Sequence, residues 1–535
     1  MPINSEISFS KCFSLPNPGL RTYFGRVVAG QPDEFRTPFY EGKDVTQVLA
    51  EWMPHLQSLK DEWPTLLEFE NDLAKKVGPM SIMAPLSQRM KDIDSYYESI
   101  LLDSEPIDYK AIAAVCNEWK RLGGLLLRSE EATVEKMKLS TNSGSPYFST
   151  RKAVLKKTVP SHVKFLPSTM YDGGNVIQYL PGKDYHACAI LGWRGQEGGP
   201  KPEDVKQRVV WMFPFAVNVQ ELRLYQPLIE GAQALNLVPA WVSMDAVDLS
   251  ITRLFDTKDP DDVIVCTDFS KFDQHFNKSM QDAAYEVIKY LLTDNERSRS
   301  WLKDVFPIKY NIPLAYNWKK VRFGAHGMGS GSGGTNADET LAHRALQHEV
   351  ALKHRKILNP NSMCLGDDGI LSYPGITAKD VMQSYTTHGL EMNLDKQYES
   401  TQDCTYLRRW HHVDYRINGV CVGVYSTARA LGRLCEQERY YDHWSKEMVA
   451  LRQLSILENI KYHPLKEEFV DFCMKGDKFR LGLDIPGFLD NLVSYAKEAN
   501  DYMPDFLGYT KSLQNKEVGA GINDWWIVNY LRSKA

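Results

Sequence analysis

The chain has 535 residues, of which 43% are hydrophobic and 24% charged, a composition typical of a folded globular protein. Its 63 Lys and Arg against 68 Asp and Glu give a formal charge of −5, so any bound polyanion would need a locally basic channel. The nine cysteines form no CxxC pair, so we expect reduced thiols. Because the sequence shows no apolar leader and no run of about 18 apolar residues, we expect a soluble intracellular protein.

The first third of the chain predicts an arm followed by helices. Residues 1–45 are rich in Pro, Gly and aromatic residues without a clear period, and we expect an irregular arm that lies on another part of the molecule. Apolar spacing is helical over 45–78 and 108–137. Glycine- and proline-rich segments at 141–148, 170–175 and 195–204 predict turns.

The middle of the chain combines short strands with amphipathic helices. The β-branched run 263–267 predicts a buried strand that ends at Asp268. Apolar spacing predicts a helix over 279–292, with Ala283, Ala284, Val287, Ile288 and Leu291 on one face. A second helix is predicted over 335–355, directly after the glycine-rich turn GAHGMGSGSGG (324–334).

Residues 363–373, MCLGDDGILSY, predict a hairpin with Asp367 and Asp368 at its tip. Taken singly, Asp268 is more often a turn or helix-capping residue, and a GDD triplet is a weak signal. Adjacent carboxylates repel unless a cation neutralises them. Two acids on a hairpin facing a third on a neighbouring strand would suit Mg²⁺, and paired Mg²⁺ ions suit phosphoryl transfer.

The order of the motifs resembles the viral RNA-dependent RNA polymerases. DFSKFD (268–273), SGSGGT (330–335), GDD (366–368) and NLDK (393–396) are similar to motifs A, B, C and D of that family. Upstream, TNSGSPY (141–147) resembles motif G and KQRVV (206–210) motif F, and YLRRW (406–410) stands at the motif E position. In spacing and in GSGGT the resemblance is strongest to picobirnaviruses, then to partitiviruses, which are small double-stranded-RNA viruses.

The resemblance implies a metal-dependent active site. Asp268 and Asp367 would be the principal ligands of two Mg²⁺ ions, with Mn²⁺ as an alternative, and Asp368 would be a weaker or water-mediated ligand. Lys396 would donate a proton to the departing pyrophosphate. The alternative for Lys396 is an ordinary solvent-exposed lysine.

The resemblance also implies a set of nucleotide-binding residues. Lys206 and Arg208 would bind the triphosphate, although a solvated face is the ordinary alternative for such a pair. Asp273 would sense the ribose 2′-hydroxyl, with a helix N-cap as its alternative. Nucleotide contacts would extend to Ser330, Thr335 and Asn336.

The glycine-rich turn departs from the picornavirus-like pattern at one position. That pattern has Asn four residues after the Thr, where this chain has Glu339, while Asn336 directly follows Thr335. The hydroxyls of Ser330 and Thr335 are candidates to bond Asp273 or the incoming ribose. Positive φ and close approach to RNA or nucleotide would explain the glycines of the turn, Gly327, Gly329, Gly331, Gly333 and Gly334.

Other residues are candidates for RNA contacts. The resemblance implies template or product contacts for Ser143, Gly144, Pro146, Gly331 and Arg408. The alternative for Arg408 or Arg409 is an ion pair on the sheet surface. We also expect the basic residues that follow motif G to line a template entrance, and we call them the 151–164 basic cluster: Arg151, Lys152, Lys156, Lys157 and Lys164.

We therefore expect an α+β right-hand polymerase fold with an encircled shape and an antiparallel palm sheet flanked by helices. The predicted domains are an arm (1–45) bridging fingers and thumb, fingers (46–245), palm (246–415, with a fingers insertion near 295–325) and a mostly helical thumb (416–535). Expected partners are template and nascent RNA, nucleoside triphosphates and a capsid protein. A monomer that binds no membrane is expected, in the virion interior or host cytoplasm.

Two other functions stay open. A reverse transcriptase would share the palm and the metal chemistry, but Asp273 and LGDD differ from the aromatic residue and the Tyr-x-Asp-Asp of those enzymes. An inactive RNA-binding or capsid-docking protein could keep the same scaffold, but it would not need all three acids and Lys396.

Overall fold

The computed structural model describes residues 5–168, 173–441, 443–503 and 521–535. Its first part is built almost entirely from short helices: α1 (Ser5–Cys12), α2 (Pro18–Ala29), α3 (Val45–Trp52), α4 (Pro64–Ala74), α5 (Leu86–Glu98), α6 (Tyr109–Trp119), α7 (Glu130–Glu135) and α8 (Leu155–Thr158). The helices predicted over 45–78 and 108–137 are thus present, each broken into shorter segments.

The prediction of an irregular N-terminal arm is wrong for residues 5–29. Asn17 and Pro18 form a helix-start signal. The Asn17 side chain accepts the Leu20 N–H at 3.2 Å, and Pro18 opens α2. Leu20, Phe24 and Val27 then lie buried along one side of the helix. Residues 1–4 lie outside the described residues.

Two antiparallel strand groups and a long helix follow: β1 (His162–Ser168), β2 (Gly173–Leu180), β3 (Lys183–His186), β4 (Ala189–Gln196), β5 (Lys206–Met212), α9 (Phe215–Ala234), α10 (Pro239–Val242) and α11 (Met244–Thr257). Strands β1, β2 and β3 form one sheet in sequence order. The turn predicted at 170–175 is wrong for 173–175, which begin β2, while 169–172 lie outside the described residues.

The next region alternates strands and helices: β6 (Ile264–Thr267), α12 (Phe272–His275), α13 (Lys278–Leu291), α14 (Glu296–Asp304), β7 (Leu314–Asn317), β8 (Lys320–Arg322), α15 (Thr335–Lys353), β9 (Met363–Leu365), β10 (Asp368–Leu371), α16 (Ala378–Thr386) and β11 (Tyr398–Ser400). The predicted strand, both predicted helices and the hairpin are confirmed within two residues at each end. The predicted apolar face of α13 is buried.

The central sheet of this region has the strand order β11-β6-β10-β9, and every neighbouring pair is antiparallel. Helices α6, α13 and α15 pack together in the largest hydrophobic core. Strands β7 and β8 join β4 and β5 in another four-stranded sheet, whose order is β5-β4-β7-β8. Residues near 295–325 therefore pair with strands from 189–212.

The last part contains a small sheet and further helices: β12 (Asp403–Tyr406), β13 (Arg409–His412), β14 (Val424–Tyr425), α17 (Thr427–Cys435), α18 (Lys446–Glu458), α19 (Lys466–Gly476), α20 (Leu492–Tyr502) and α21 (Trp526–Lys534). Residues 442 and 504–520, within the predicted thumb, lie outside the described residues.

Early and late parts of the chain meet around α17. The buried Glu70 carboxylate accepts the Thr427 N–H at 2.9 Å at the start of this helix and contacts His463 Nε2 at 2.8 Å. At its end, the Thr37 N–H donates to the Cys435 carbonyl at 2.9 Å. The predicted limits of arm, fingers, palm and thumb stay predictions. Among the described residues, no helix combines the length and apolar character needed to cross a membrane.

Candidate active site

The two acidic segments meet at one edge of the central sheet. Thr267 pairs with Gly369 between antiparallel β6 and β10, so the end of one strand, at Asp268, lies beside the start of the other, at Asp368. Asp367 occupies the turn between β9 and β10. The strand register therefore brings the backbone of Asp268 beside that of the 367–368 turn.

Helix α15 holds the acidic turn from behind. Gly366 has φ +58, a conformation that glycine adopts without strain. Its N–H donates to Thr340 Oγ1 at 3.0 Å, and its carbonyl lies 2.8 Å from His343 Nδ1. Burial lowers the pKa of His343 to about 4, which keeps the ring neutral. A side chain at Gly369 would come within 2.6 Å of this ring.

Asp268 is fixed through its backbone by Gln397, a residue that the sequence analysis did not identify. The Asp268 N–H donates to Gln397 Oε1 and the Gln397 Nε2 group donates to the Asp268 carbonyl, both at 2.8 Å. Burial raises the pKa of Asp268, and Asp367 raises it further, whereas Lys396 opposes the shift. The Asp268 carboxylate thus interacts both with another acid, Asp367, and with the exposed Lys396.

The Asp368 carboxylate is bonded to the backbone of a neighbouring turn. Its Oδ2 accepts the Leu407 N–H at 2.8 Å, in the turn between β12 and β13. Burial raises the pKa of Asp368 to about 7, and Asp367 adds to this shift. One of its two carboxylate oxygens is therefore already occupied.

The donor chemistry at this edge suits a hard divalent cation, since all the candidate ligands are carboxylate oxygens. The repulsion that raises the pKa of Asp268 would be relieved by such an ion. Nevertheless, within the described part of the chain no three Asp, Glu, His or Cys side chains are gathered closely enough to hold a metal ion. The chemical fit is present, and the convergence of the side chains stays a prediction.

Asp273 lies next to this edge and pairs with Glu339 of α15. Burial raises the pKa of Asp273, and a hydrogen bond with Glu339 opposes that shift. Burial, followed by the closeness of Asp273, raises the pKa of Glu339 well above its usual range. Since two carboxylates cannot donate to each other, the pair must hold a proton, and Glu339 is its better site.

Comparison with known proteins now adds to this geometry. Residues 128–423 match the family model of viral RNA-dependent RNA polymerase. The chain belongs to this family. It is 64% identical, over 98% of both chains, to a potential RNA-dependent RNA polymerase of human picobirnavirus.

Two crystal structures of human picobirnavirus RNA-dependent RNA polymerases resemble the chain over almost its whole length. One has 63% identity and a TM-score of 0.93, and the other, an insertion loop deletion mutant, has 61% identity and a TM-score of 0.92. Both matches cover 99% of each chain. These findings confirm the predicted α+β polymerase fold and the prediction of an enzyme, an RNA-directed RNA polymerase and thus a nucleotidyltransferase.

The glycines of the polymerase's 324–334 turn lie close to other parts of the same chain. None of Gly327, Gly329, Gly331, Gly333 and Gly334, all described, has a positive φ, so that part of the prediction is wrong. A Cβ on Gly331 would lie 1.7 Å from the Trp211 carbonyl oxygen, and one on Gly327 would lie 2.3 Å from the Asp273 carbonyl oxygen. The turn is glycine-rich because it packs closely against the polymerase's own backbone and side chains.

The polar side chains of this turn also bond within the protein. Ser330 Oγ accepts the Trp211 N–H at 3.2 Å, and the Thr335 hydroxyl donates to the Gly329 carbonyl at 3.1 Å. Asn336 Oδ1 accepts the Trp241 Nε1–H at 2.7 Å. None of these three hydrogen bonds goes to Asp273, whose side-chain partner is Glu339, and the predicted nucleotide contacts stay predictions.

A basic group lies beside the acids. Lys206 lies at the start of β5, and burial is the largest cause that lowers its pKa. The positive charges of Lys76, Arg408 and Arg208 lower this pKa further. Asp268 opposes this shift, so Lys206 lies near the acidic edge. Lys76 follows α4, far away in the sequence, and no pattern there could have identified it.

The loop that resembles motif G is packed inside the polymerase. Ser143, Gly144 and Pro146 are buried. The Ser143 hydroxyl accepts the Ser149 N–H at 3.1 Å, and the Pro146 carbonyl accepts the Ser14 N–H at 3.0 Å. These residues shape the loop, and their predicted template contact stays a prediction.

The 151–164 basic cluster is only partly available to RNA. The Arg151 guanidinium donates to Asn218 Oδ1 at 2.9 Å and to the Lys138 carbonyl at 3.0 Å. The Arg151 guanidinium is therefore already bonded within the protein, and its place at the template entrance stays a prediction. Lys164 is half-buried, and three members are exposed: Lys152, Lys156 and Lys157.

Proposed function

We propose that this polymerase replicates and transcribes the genome of a double-stranded-RNA virus by two-metal nucleotidyl transfer. The observation that carries the proposal is the sheet edge where Asp268 and the 366–368 hairpin meet, with Lys396 and Lys206 beside them. Acids, a candidate proton donor and phosphate-binding cations are the groups that this reaction requires. The 64% identity to a picobirnavirus polymerase supports the viral context.

In the proposed reaction, the 3′-hydroxyl of the growing RNA attacks the α-phosphorus of a nucleoside triphosphate. A P–O bond forms to the RNA while the bond to the β-phosphate oxygen breaks, the hydroxyl proton passes to solvent water, and pyrophosphate leaves. Asp268 and Asp367 would hold two Mg²⁺ ions, with Asp368 as a weaker ligand, and the ions would activate the hydroxyl and stabilise charge on the phosphorus. Lys396 would give a proton to the pyrophosphate, and Lys206 with Arg208 would orient the triphosphate.

Sugar choice would depend on Asp273 accepting a hydrogen bond from the ribose 2′-hydroxyl. Glu339, which retains the shared proton, would donate to Asp273 and hold it in place. The neutral Glu339 carboxyl group would thus donate a hydrogen bond to Asp273, as an amide N–H would. This arrangement favours ribonucleotides over deoxyribonucleotides, as an RNA polymerase requires.

We further propose that the enzyme acts as a monomer, associates with a capsid protein, and works in the virion interior or the host cytoplasm. Template and nascent RNA and the four nucleoside triphosphates would be its other partners. Sedimentation with and without the capsid protein would test this part: a stable dimer of the free enzyme, or no co-sedimentation, would contradict it.

The decisive experiment for the function is primer-free synthesis on a short single-stranded RNA, with ribonucleotides and deoxyribonucleotides supplied in separate reactions. We expect RNA from ribonucleotides only, its loss in Asp268→Ala and Asp367→Ala, and its retention in the exposed control Asp282→Asn. Chelation should abolish synthesis, and Mg²⁺ or Mn²⁺ should restore it. Synthesis from deoxyribonucleotides would favour a reverse transcriptase, and inactivity on every template would favour a binding protein.

A further inference from the structure

The half-buried Trp241 lies on the short helix α10 and is held by contacts on two sides. At its backbone, the Gln233 Nε2 group of α9 donates to the Trp241 carbonyl at 2.8 Å. At its side chain, the indole ring meets the ring of the buried Trp119 edge to face, with the ring centroids 6.2 Å apart. These contacts fix both the backbone and the ring of Trp241, and so they set the direction of its indole N–H.

The indole N–H of Trp241 selects one orientation of an amide group on α15. It donates to Asn336 Oδ1 at 2.7 Å. Because an indole nitrogen can only donate, the amide oxygen must face Trp241 and the Nδ2 group must face away from it. Rotation of the amide by 180° would set two donors against each other and lose the hydrogen bond. Asn336, an exposed side chain in the first turn of α15, thus has one favoured orientation where a free amide would have two.

The Asn336 Nδ2 group lies beside the turn that carries Asp367. A Cβ on Gly366, the residue before Asp367, would lie 3.7 Å from Asn336 Nδ2. Apart from the chain neighbours of Gly366, no other atom of the described protein would come within 4 Å of that Cβ. In the described part of the chain this Nδ2 group has no hydrogen-bond partner. An oriented N–H donor is therefore available to a ligand next to the proposed site of phosphoryl transfer.

We propose that Trp241 is a positioning residue for nucleotide addition, which holds the Asn336 amide so that Nδ2 donates to an oxygen of a reacting nucleotide. This inference rests on the proposed function, and it adds a residue of α10 that none of the motifs contains. Ribose and phosphate groups supply acceptor oxygens, which the opposite orientation of the amide would meet with its own oxygen. The acceptor belongs either to the incoming nucleoside triphosphate or to the 3′-terminal nucleotide of the growing RNA.

The test uses the full-length enzyme with Trp241→Phe, which keeps an aromatic ring but removes the N–H, with Asn336→Ala, and with both changes together. The matched control is Trp52→Phe, because the Trp52 indole donates to Thr427 Oγ1 at 2.8 Å in a different hydrophobic core. Binding of a primed RNA template is titrated first, and binding of GTP is then titrated on the RNA complex. The primer lacks its 3′-hydroxyl, so that no reaction occurs, and thermal unfolding checks the fold of each variant.

If the acceptor is on the incoming nucleotide, Trp241→Phe should weaken GTP binding about three- to tenfold, through the lost orientation of the amide, and leave RNA binding unchanged. If the acceptor is on the growing strand, RNA binding should weaken by that factor and GTP binding should not change.

Asn336→Ala should weaken the same ligand about tenfold. In the Asn336→Ala enzyme, Trp241→Phe should then cause no further loss, because the two residues act through one hydrogen bond. A purely structural Trp241 would instead cause the same loss with and without Asn336. That result, unchanged binding of both ligands by folded Trp241→Phe, or an equal loss in Trp52→Phe would overturn the proposal.

Asn336→Asp gives a second test should Trp241→Phe fail to fold. The substituted carboxylate still accepts from Trp241 but cannot donate, so it should weaken binding at least as much as Asn336→Ala does, and wild-type binding would overturn the proposal. None of these titrations depends on catalysis. A wild-type enzyme that makes no RNA would refute the proposed function, while the titrations would still decide the role of Trp241. Conversely, normal RNA synthesis with unchanged binding in all variants would refute only that role.

Discussion

Replacement of Glu339 by Gln and by Ala gives a sharp prediction about sugar selection. Glu339 is 5% exposed, and its partner Asp273 has a pKa raised by burial, so the pair keeps a proton between its two carboxyl groups. Gln has nearly the same shape and donates an N–H where the protonated acid donates an O–H. Ala removes the donor and leaves the Asp273 carboxylate without its partner.

The magnitude follows from that lost hydrogen bond. Leaving a buried charged acceptor unpaired costs about 1–3 kcal/mol, and about 1.4 kcal/mol corresponds to tenfold in an equilibrium or a rate. We therefore expect Glu339→Ala to reduce the preference for ribonucleotides about tenfold to a hundredfold. Glu339→Gln should stay within about threefold of wild type, since only a neutral–neutral difference remains.

The assay is single-nucleotide extension of a primed template, comparing kcat/KM for a ribonucleotide and its deoxyribonucleotide. Equal loss of preference in the Gln and Ala variants would refute the reasoning, because it would mean that Glu339 acts as an anion. Stability gives a second readout with a fixed sign. Since the folded-state pKa of Glu339 is raised, its contribution to stability is fully present below its usual pKa and is lost as the pH rises from there through the raised pKa, so Glu339→Gln should reduce the loss of stability over that range.

Three further predictions follow from the site. Lys396→Met should lower kcat about a hundredfold or more with little change in RNA affinity, measured by rapid-quench extension, and an unchanged kcat would exclude a proton donor. Gly331→Ala, which places a Cβ 1.7 Å from the Trp211 carbonyl, should lower the free energy of unfolding by about 2 kcal/mol or more, whereas Gly25→Ala, with open space around it, should not. Changing the three exposed lysines of the 151–164 basic cluster to Gln should reduce the salt slope of RNA binding by about 2, and an unchanged slope would remove them from the template path.

Much of the central region could be predicted from local patterns. The β-branched run before Asp268, the amphipathic face of α13 and the Gly-Asp-Asp-Gly turn each specify their own structure, and all three are confirmed. The resemblance of the ordered motifs to viral RNA-dependent RNA polymerases then indicated the fold.

The contacts between distant segments could not be predicted in the same way. Gln397 pairs with the Asp268 backbone, and Arg429 reaches Glu197, across more than a hundred residues of sequence in each case. The glycines of the 324–334 turn show the limit of composition, which indicated close approach but not the partner. The N-terminal helices could not be predicted from composition, because the helix-starting pair Asn17-Pro18 lies within a segment rich in proline and glycine.

The central claim is that Asp268 and Asp367 share divalent cations during synthesis. The most direct measurement is anomalous diffraction from crystals of the enzyme with primed RNA, a non-hydrolysable nucleotide and Mn²⁺. We predict two anomalous peaks between these carboxylates, and their loss in Asp367→Ala crystals of the same form. Density for bound nucleotide without metal at either acid would contradict the account.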